Sequence, residues 1–228
     1  DELDTRLKEM GITGYSIEAV TERQTKDGPV HINSNTDPTV LLVRYPSVLE
    51  EAEDYIPPRV KVEIGCLAMD EPTEHRPIDT LIAKYYPEED NELSCIIRTV
   101  VPTRTFLEKV FLLNEEFQKA KPRYRRMSRH LYDLERLMDT PYGREALAGK
   151  DLYNAIVEHR KTYYDLKYVD YGLHAPDKID FLPPVADMDR WRSDYDEMQH
   201  HFIFGTALSF DDLLKRMEEL RSRFRAIK

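Results

Sequence analysis

The spacing of apolar residues changes at Pro102, and this change constrains the fold more than any other feature of the sequence. Before Pro102, apolar and polar residues alternate in RVKVEIG at 59–65, while TVLLVRY at 39–45 is apolar on both faces. The first pattern is typical of a half-exposed strand and the second of a central strand. After Pro102 the apolar residues recur at helical spacing. The sequence therefore predicts an α+β fold, with a β-rich domain at 1–101 and an α-helical domain at 102–228.

Two helix starts and two apolar stripes organise the predicted helical domain. Thr105 with Glu108, and Ser209 with Asp212, have the spacing of capping boxes, in which side chains satisfy free N–H groups of a first helical turn. The stripes of two long C-terminal helices are Met188, Trp191, Tyr195, Met198 and Phe202, then Leu213, Met217, Leu220 and Phe224. Stripes of this kind predict helices whose apolar faces form a core.

The composition excludes several classes of protein. A formal net charge of −10 argues against indiscriminate binding to nucleic acid or anionic lipid. No apolar run exceeds four residues, so a membrane span of roughly 18 residues is not expected. With only Cys66 and Cys95, a disulfide framework is excluded, and we expect buried thiols in a reducing, cytoplasmic compartment. The chain starts at Asp1 without a basic and apolar leader, and we expect its natural start to lie upstream.

The segment KAKPRYRRMSR, residues 119–129, has the opposite charge to the rest of the chain. It carries six basic residues and no acidic one. Such a segment is either a local anion site or a solvated loop. In the first case its arginines would bind phosphate groups, and they are Arg123, Arg125, Arg126 and Arg129.

Glu63 and Lys109 are candidates for chemistry on their patterns alone. Glu63 lies on the polar side of a predicted strand, where a carboxylate suits a metal or proton-transfer site, although an ordinary solvated face gives the same alternation. Lys109 falls between Leu112 and Leu113 on a helical wheel, in the predicted first turn of a helix. Its ammonium group either extends along the apolar surface to solvent or binds an anion such as phosphate.

Asp133 is the third candidate. It borders the apolar stripe of SRHLYDLERLM, with Arg129 one turn earlier on the same side. One interpretation is an exposed ion pair with Arg129, worth a few tenths of a kcal/mol. The other is that Asp133 orients Arg129 or Lys109 toward a phosphate.

The histidines do not suggest a zinc site. His200 and His201 are consecutive and project about 100° apart on a helix, so they cannot chelate one ion as an i,i+4 pair does. His159 continues the stripe of Leu152 and Ile156, and we expect a packed core histidine there. The sequence contains no glycine-rich phosphate loop and no nucleophile elbow.

The order of RVKVEIG, VPTRTFLEKVFLL and RMSRHLYDLERLM, followed by LYNAIVEHRK and LSFDDLLKRMEELRSRF, resembles the AbiEii/AbiGii toxin family of nucleotidyltransferases. That family belongs to the DNA-polymerase-β-like superfamily, and the resemblance covers nearly the whole chain. It implies a mixed β-sheet from a nucleotidyltransferase palm, followed by a helical half. It also implies an Mg²⁺-dependent enzyme of a toxin–antitoxin or abortive-infection system, which transfers a nucleotide from an NTP to an acceptor such as tRNA, another RNA or a protein, with a cognate antitoxin as partner.

The resemblance also assigns roles to residues. Glu63 matches the family's third carboxylate, a metal ligand, Lys109 its phosphate-binding lysine and Asp133 the acidic residue of its last motif. In-line phosphoryl displacement uses two divalent cations, the carboxylates that hold them, and cations that take up phosphate charge. We therefore expect Glu63, Lys109 and Asp133 to converge on one cleft within about 10 Å.

The sequence departs from the family at its beginning. The glycine- and serine-rich first motif and its D-x-D pair are not found in residues 1–228, and we expect them upstream of Asp1. On this interpretation, the 228 residues alone transfer no nucleotide and bind Mg-NTP poorly, although we expect Lys109 still to hold a phosphate or sulfate. The alternative is a catalytically inactive helical interaction or RNA-binding module on a transferase scaffold, with residues 119–129 as its contact surface.

Overall fold

The computed structural model describes residues 2–25, 28–32, 39–47, 57–88 and 94–227. The chain divides into two compact units, Asp1–Ala68 and Met69–Lys228, which we call unit 1 and unit 2. The mixture of helices with small antiparallel sheets confirms the predicted α+β class. The domain boundary predicted at 101/102 stays a prediction.

Among its described residues, unit 1 contains one helix and five strands. These are α1 (Glu2–Glu9), β1 (Ser16–Val20), β2 (Glu22–Thr25), β3 (Gly28–His31), β4 (Thr39–Arg44) and β5 (Arg59–Ile64). The main sheet has the order β1-β4-β5, with antiparallel pairing on both sides of β4. The continuous apolar run of β4 therefore marks the central strand, as predicted, and its Val40 and Leu42 are buried.

A hairpin replaces part of a predicted loop in unit 1. The glycine, proline, asparagine and serine residues of 24–38 predict one long loop, but β2 and β3 pair antiparallel from Glu22 opposite His31 to Thr25 opposite Gly28. Gly28 has a φ of +111°, a conformation that glycine adopts without steric cost. Residues 33–38 of the predicted loop lie outside the described part of the chain.

Unit 2 contains a two-stranded antiparallel sheet and seven helices among its described residues. They are β6 (Thr73–Ile78), α2 (Leu81–Tyr85), β7 (Cys95–Val100), α3 (Pro102–Phe117), α4 (Ser128–Met138), α5 (Pro141–Ala148), α6 (Lys150–His159), α7 (Met188–His201) and α8 (Phe210–Arg225). A π-helical turn, Arg160–Tyr164, continues α6. Two short 3₁₀ turns, Tyr171–His174 and Val185–Asp187, lie in the connection to α7.

The predicted start of α3 is wrong by one turn. The helix begins at Pro102, and Thr105 lies inside it, with its hydroxyl donating to the carbonyl oxygen of Val101 at 3.4 Å. Proline suits the first helical position because its fixed φ is helical and its missing N–H would have no partner there. Lys109 consequently lies two turns into the helix, beyond the first turn in which the helix dipole favours an anion.

The core of unit 2 forms around α3. Side chains on several sides of this helix are fully buried, among them Phe106, Leu107, Val110 and Phe111. A helix that is buried on most of its circumference must be surrounded by other apolar elements, so α3 is the central helix of unit 2.

The predicted stripes of α7 and α8 face the core as expected, except that Phe202 at the end of α7 is exposed. The capping box at Ser209 is confirmed, because its hydroxyl oxygen accepts the N–H of Asp212 at 3.2 Å.

The cysteine prediction is wrong, since Cys66 and Cys95 are both exposed free thiols. Cys95 opens β7, a strand of a two-stranded sheet, where alternation in the sequence does not ensure a covering layer. Within the described ranges, no helix has both the length and the apolar character needed to cross a lipid bilayer.

Candidate functional site

Lys109 and Asp133 form an ion pair between α3 and α4. The Nζ atom of Lys109 lies 2.7 Å from Oδ2 of Asp133, and the two side chains are 21% and 38% exposed. Lys109 is held at this depth because it lies at the edge of the buried face of α3. The two residues predicted separately therefore come together, and the role of Asp133 in orienting Lys109 toward a phosphate stays a prediction.

The ion pair borders a cavity in unit 2 of about 460 Å³. Its lining residues come from the end of β7, the start of α3 and one face of α4. They are Val100, Pro102, Thr105, Lys109, Tyr132, Asp133, Arg136 and Leu137. This volume is within the range of small-molecule sites, roughly 300–1,000 Å³, and such sites combine apolar walls with a few polar groups. Arg136 and Tyr132 lie on the same helix as Asp133, but no sequence pattern singles them out.

A carboxylate from α7 fixes the start of α4. The buried side chain of Asp194 accepts the backbone N–H of Ser128 at 3.0 Å, the Ser128 hydroxyl and the backbone N–H of Arg126. Arg126 has a φ of +59°, which turns the chain into the helix. Asp194 thereby provides the hydrogen bonds of a helix cap from a residue 66 positions away in the sequence. Because α4 carries Asp133, this cap also fixes one wall of the cavity.

A buried ionic cluster holds α3 from another side. The guanidinium group of Arg160 donates to Glu115 through Nε at 2.7 Å and Nη2 at 2.5 Å, and to Glu108 through Nη1. Burial lowers the pKa of Arg160, but its contacts with Glu115 and Glu108 outweigh that effect and raise the pKa overall. Arg104 extends the cluster, with Nε 3.6 Å from Oε1 of Glu108. We call Arg104, Glu108, Glu115 and Arg160 the ionic cluster.

The apolar pattern of α6 does not reveal this cluster, because it predicts His159 at the buried position. The buried residues are instead Tyr153, Ile156 and Arg160, while His159 is half-buried and stacks on the exposed ring of Tyr163. Tyr153, Ile156 and Arg160 are three and then four residues apart, and this helical spacing indicates that Arg160 lies on the buried face. Its charge made it look like a surface residue.

Two buried histidines lie close to these charges. Burial, followed by the positive charges of Lys109, Arg129 and Arg123, lowers the pKa of His130 to about 3. Burial and the charge of Arg160 lower the pKa of His174 to about 4. Both imidazoles are therefore neutral at pH 7.

The arginines of the basic segment have different surroundings. Arg123 is tied to the buried carboxylate of Glu116, with Nη2 at 2.7 Å, Nε at 3.0 Å and its backbone N–H at 2.8 Å. Arg125 borders a second cavity of about 400 Å³ that is also lined by Arg190 and Asp194. Arg126 and Arg129 are exposed. Phosphate binding by Arg123, Arg125, Arg126 and Arg129 stays a prediction.

Glu63 belongs to unit 1, on the exposed edge of β5, where Oε1 lies 2.6 Å from Nζ of Lys61. Its convergence with Lys109 and Asp133 stays a prediction. Across the described ranges, no three His, Cys, Asp or Glu side chains are grouped as they would be around a metal ion. The described residues therefore do not by themselves form the predicted two-metal site.

A family model described as "Nucleotidyl transferase AbiEii toxin, Type IV TA system" matches residues 3–216, which is nearly the whole chain. No curated protein and no solved structure shows significant similarity to the chain.

Proposed function

Because the chain belongs to the AbiEii family of nucleotidyltransferase toxins of type IV toxin–antitoxin systems, we propose that the cavity beside Lys109 and Asp133 binds the phosphates of an NTP. The nucleoside monophosphate would be transferred from there to an RNA such as tRNA, or to a protein. The observation that carries this proposal is the Lys109–Asp133 ion pair at the wall of a cavity of nucleotide-binding size.

The ion pair suits phosphate binding because it orients the lysine without occupying all of its donors. An ammonium group has three N–H donors. One of them points to Asp133 at 2.7 Å, which leaves two for phosphate oxygens in the cavity. Asp133 therefore acts as the positioning residue for the ammonium group of Lys109, and the partly buried setting strengthens the attraction between that group and phosphate.

In the proposed reaction, an acceptor oxygen forms a bond to the α-phosphorus, and the bond between that phosphorus and the bridging oxygen to the β-phosphate breaks. Pyrophosphate leaves with the electron pair, and the acceptor's proton passes to water. The contribution of Lys109 is to hold phosphate oxygens and stabilise the charge that develops on them.

The remaining parts of the proposal rest on the resemblance of the sequence. Mg²⁺ dependence and the metal-ligand role of Glu63 stay predictions, since the described residues do not group three metal ligands. Membership in a type IV toxin–antitoxin family indicates a cognate antitoxin.

The test is a transfer assay with α-³²P-labelled NTPs, Mg²⁺, and RNA and protein acceptors. We expect no transfer by the 228 residues alone and transfer by the protein extended upstream along its gene. In the extended protein, Lys109→Ala should lower transfer by about 100-fold or more, because it removes a cation from the reacting phosphates. Asp133→Asn should lower transfer less than Lys109→Ala does, because an amide can still accept one hydrogen bond from Lys109.

Lys178→Ala is the matched control, since it removes an exposed lysine of unit 2 that lines neither of the two cavities described above. Its transfer rate should equal that of the unmodified protein. An extended protein that retains full transfer after Lys109→Ala would contradict the proposed site. An extended protein that binds RNA without transferring any nucleotide would favour the inactive RNA-binding module.

A further inference from the structure

Arg136 supplies the cavity with a positive charge that no described side chain neutralises. The charge of Lys109 is balanced by Asp133, whereas the Arg136 guanidinium forms no hydrogen bond or ion pair with the residues that the structure describes. We propose that Arg136 is a second phosphate-binding residue of this cavity, and that it holds the distal phosphates of the bound NTP. This inference rests on the proposed function of the cavity.

The geometry of α4 places Arg136 next to the ion pair. Asp133 and Arg136 are three residues apart, so their side chains lie on the same face of the helix, about 5–6 Å apart at Cβ. Both line the cavity, together with the apolar side chains of Val100 and Leu137. A triphosphate whose inner phosphate contacts Lys109 therefore extends toward a guanidinium, which can bind phosphate oxygens through two parallel N–H donors.

The carboxylates that would ordinarily neutralise Arg136 are engaged elsewhere. On its own helix face, Asp133 pairs with Lys109. One turn further along, Asp139 accepts Nη1 of Arg223 at 2.8 Å and also pairs with Arg216, both of them from α8. These two arginines are bound in turn by Glu219.

Several other arginines of unit 2 do have partners, although exposed ones such as Arg129 have none among the described residues. Arg192 pairs with Asp211 at 2.6 Å and Arg221 with Asp180 at 2.9 Å. Arg136 is itself exposed, and a solvated arginine requires no partner, but its place in the lining of a cavity beside Lys109 allows it to take an anion. A bound NTP carries several negative charges. Lys109, whose charge is already balanced by Asp133, would leave most of the negative charge of the NTP without a partner.

The experiment is isothermal titration calorimetry of the full chain with inorganic triphosphate and with orthophosphate, in the absence of divalent cations. Neither probe has a base, so the results report phosphate recognition alone. Arg136→Gln should weaken triphosphate binding about 10-fold or more, as expected for the loss of hydrogen bonds to a charged group, and should change orthophosphate binding less than 3-fold. Arg136→Lys should lie between Arg136→Gln and the unmodified chain.

Arg225→Gln is the matched control, because it removes the same charge from an exposed position on α8 away from the cavity. It should leave the affinity for both probes unchanged. Lys109→Ala should weaken both probes. Trp191 fluorescence in urea shows whether each variant has kept its fold.

The possible failures are distinguishable. Unchanged triphosphate affinity in Arg136→Gln, with a loss in Lys109→Ala, would overturn the role of Arg136 and leave the proposed function intact. If the unmodified chain binds neither probe, or if Lys109→Ala binds as well as the unmodified chain, the proposed function fails, and the inference fails with it. If Arg136→Gln weakens a single-stranded RNA but not triphosphate, then Arg136 contacts the acceptor and the NTP assignment is wrong.

Discussion

Unit 1 buries Val40 and Leu42, whereas all the other fully buried apolar side chains that the structure describes belong to unit 2. The polar interactions differ in the same way. In unit 1 the pairs Arg44–Glu18 and Lys61–Glu63 are about half exposed, while in unit 2 Arg160 and Glu115 are almost completely buried. Exposed ion pairs contribute little to stability, but breaking a buried one leaves an uncompensated charge.

This difference bears on the candidate site. Lys109 and Asp133 are carried by helices that the core, the ionic cluster and the Asp194 cap hold in place. Glu63 is carried by a three-stranded sheet whose described residues bury few side chains. Substitutions in unit 2 should therefore change stability and the site together, whereas Glu63 can be altered almost independently of the fold.

The largest effect is expected from Arg160→Met, which removes the common partner of Glu108 and Glu115. We expect a loss of about 3–5 kcal/mol in the free energy of unfolding, because buried Glu115 is left without its arginine and Glu108 keeps only the 3.6 Å contact with Arg104. Trp191 is the only tryptophan and is buried in unit 2, so its fluorescence in urea reports this unit.

Arg44→Met is the matched variant of unit 1. Since the pair of Arg44 with Glu18 is exposed, we expect the free energy of unfolding to change by less than about 1 kcal/mol. Circular dichroism in urea measures this change. If Arg160→Met and Arg44→Met lowered the free energy of unfolding equally, the ion pairs of the two units would not differ in their contribution to stability.

A pH dependence should come next in size. His130 and His174 have pKa values lowered to about 3 and about 4, from an ordinary value of 6.5. Below pH 6.5 the unfolded chain binds protons at both residues that the folded chain does not bind. Stability is therefore fully present above pH 6.5 and decreases as the pH falls toward 4 and 3. At pH 5 each histidine should cost up to about 2 kcal/mol.

The measurement is the urea midpoint of Trp191 fluorescence between pH 7.5 and pH 5. His130→Gln, which cannot be protonated, should remove about half of the decrease. A midpoint that does not move over this range would show that neither imidazole is buried as the structure places it.

Asp194→Asn should have an intermediate effect. The amide retains one acceptor oxygen but turns its NH₂ group toward the donors of Ser128 and Arg126, so we expect a loss of about 1–2 kcal/mol, as for other helix caps. Asp212→Asn at the exposed start of α8 is the control, with an expected loss below about 0.5 kcal/mol. Equal losses would mean that Asp194 does not fix α4 more firmly than an ordinary surface contact.

The sequence predicted the elements whose signal is local. The stripes of α7 and α8 and the central strand β4 follow from side-chain spacing alone, and the structure confirms them. The start of α3 was missed because Thr105 and Glu108 have the spacing of a cap, although Pro102 already satisfies the same requirement three residues earlier.

The features that depend on distant partners were not predictable in the same way. Arg160 can be buried only because Glu115 and Glu108 meet it across 45 and 52 residues of sequence. The Asp194 cap is likewise set by the packing of α7 on α4. Lys109 and Asp133 were each predicted as candidates, but no local pattern could supply their 2.7 Å contact.

The smallest change in stability, and the sharpest test of the contrast, is expected from Glu63→Gln. The partner of Glu63 is Lys61, and the two side chains are 52% and 49% exposed, so the loss should be below about 0.5 kcal/mol. In the transfer assay on the extended protein, the same substitution should lower the rate about 100-fold or more, if Glu63 holds a metal ion as the resemblance implies. The double variant Glu63→Gln with Lys109→Ala then decides whether these two residues act in the same reaction step. Substitutions of residues that act together in catalysis have strongly non-additive effects on the rate. The double variant should therefore transfer nucleotide little more slowly than the slower single variant. If the rate reduction of the double variant equals the product of the two single reductions, Glu63 lies outside the site that Lys109 and Asp133 form.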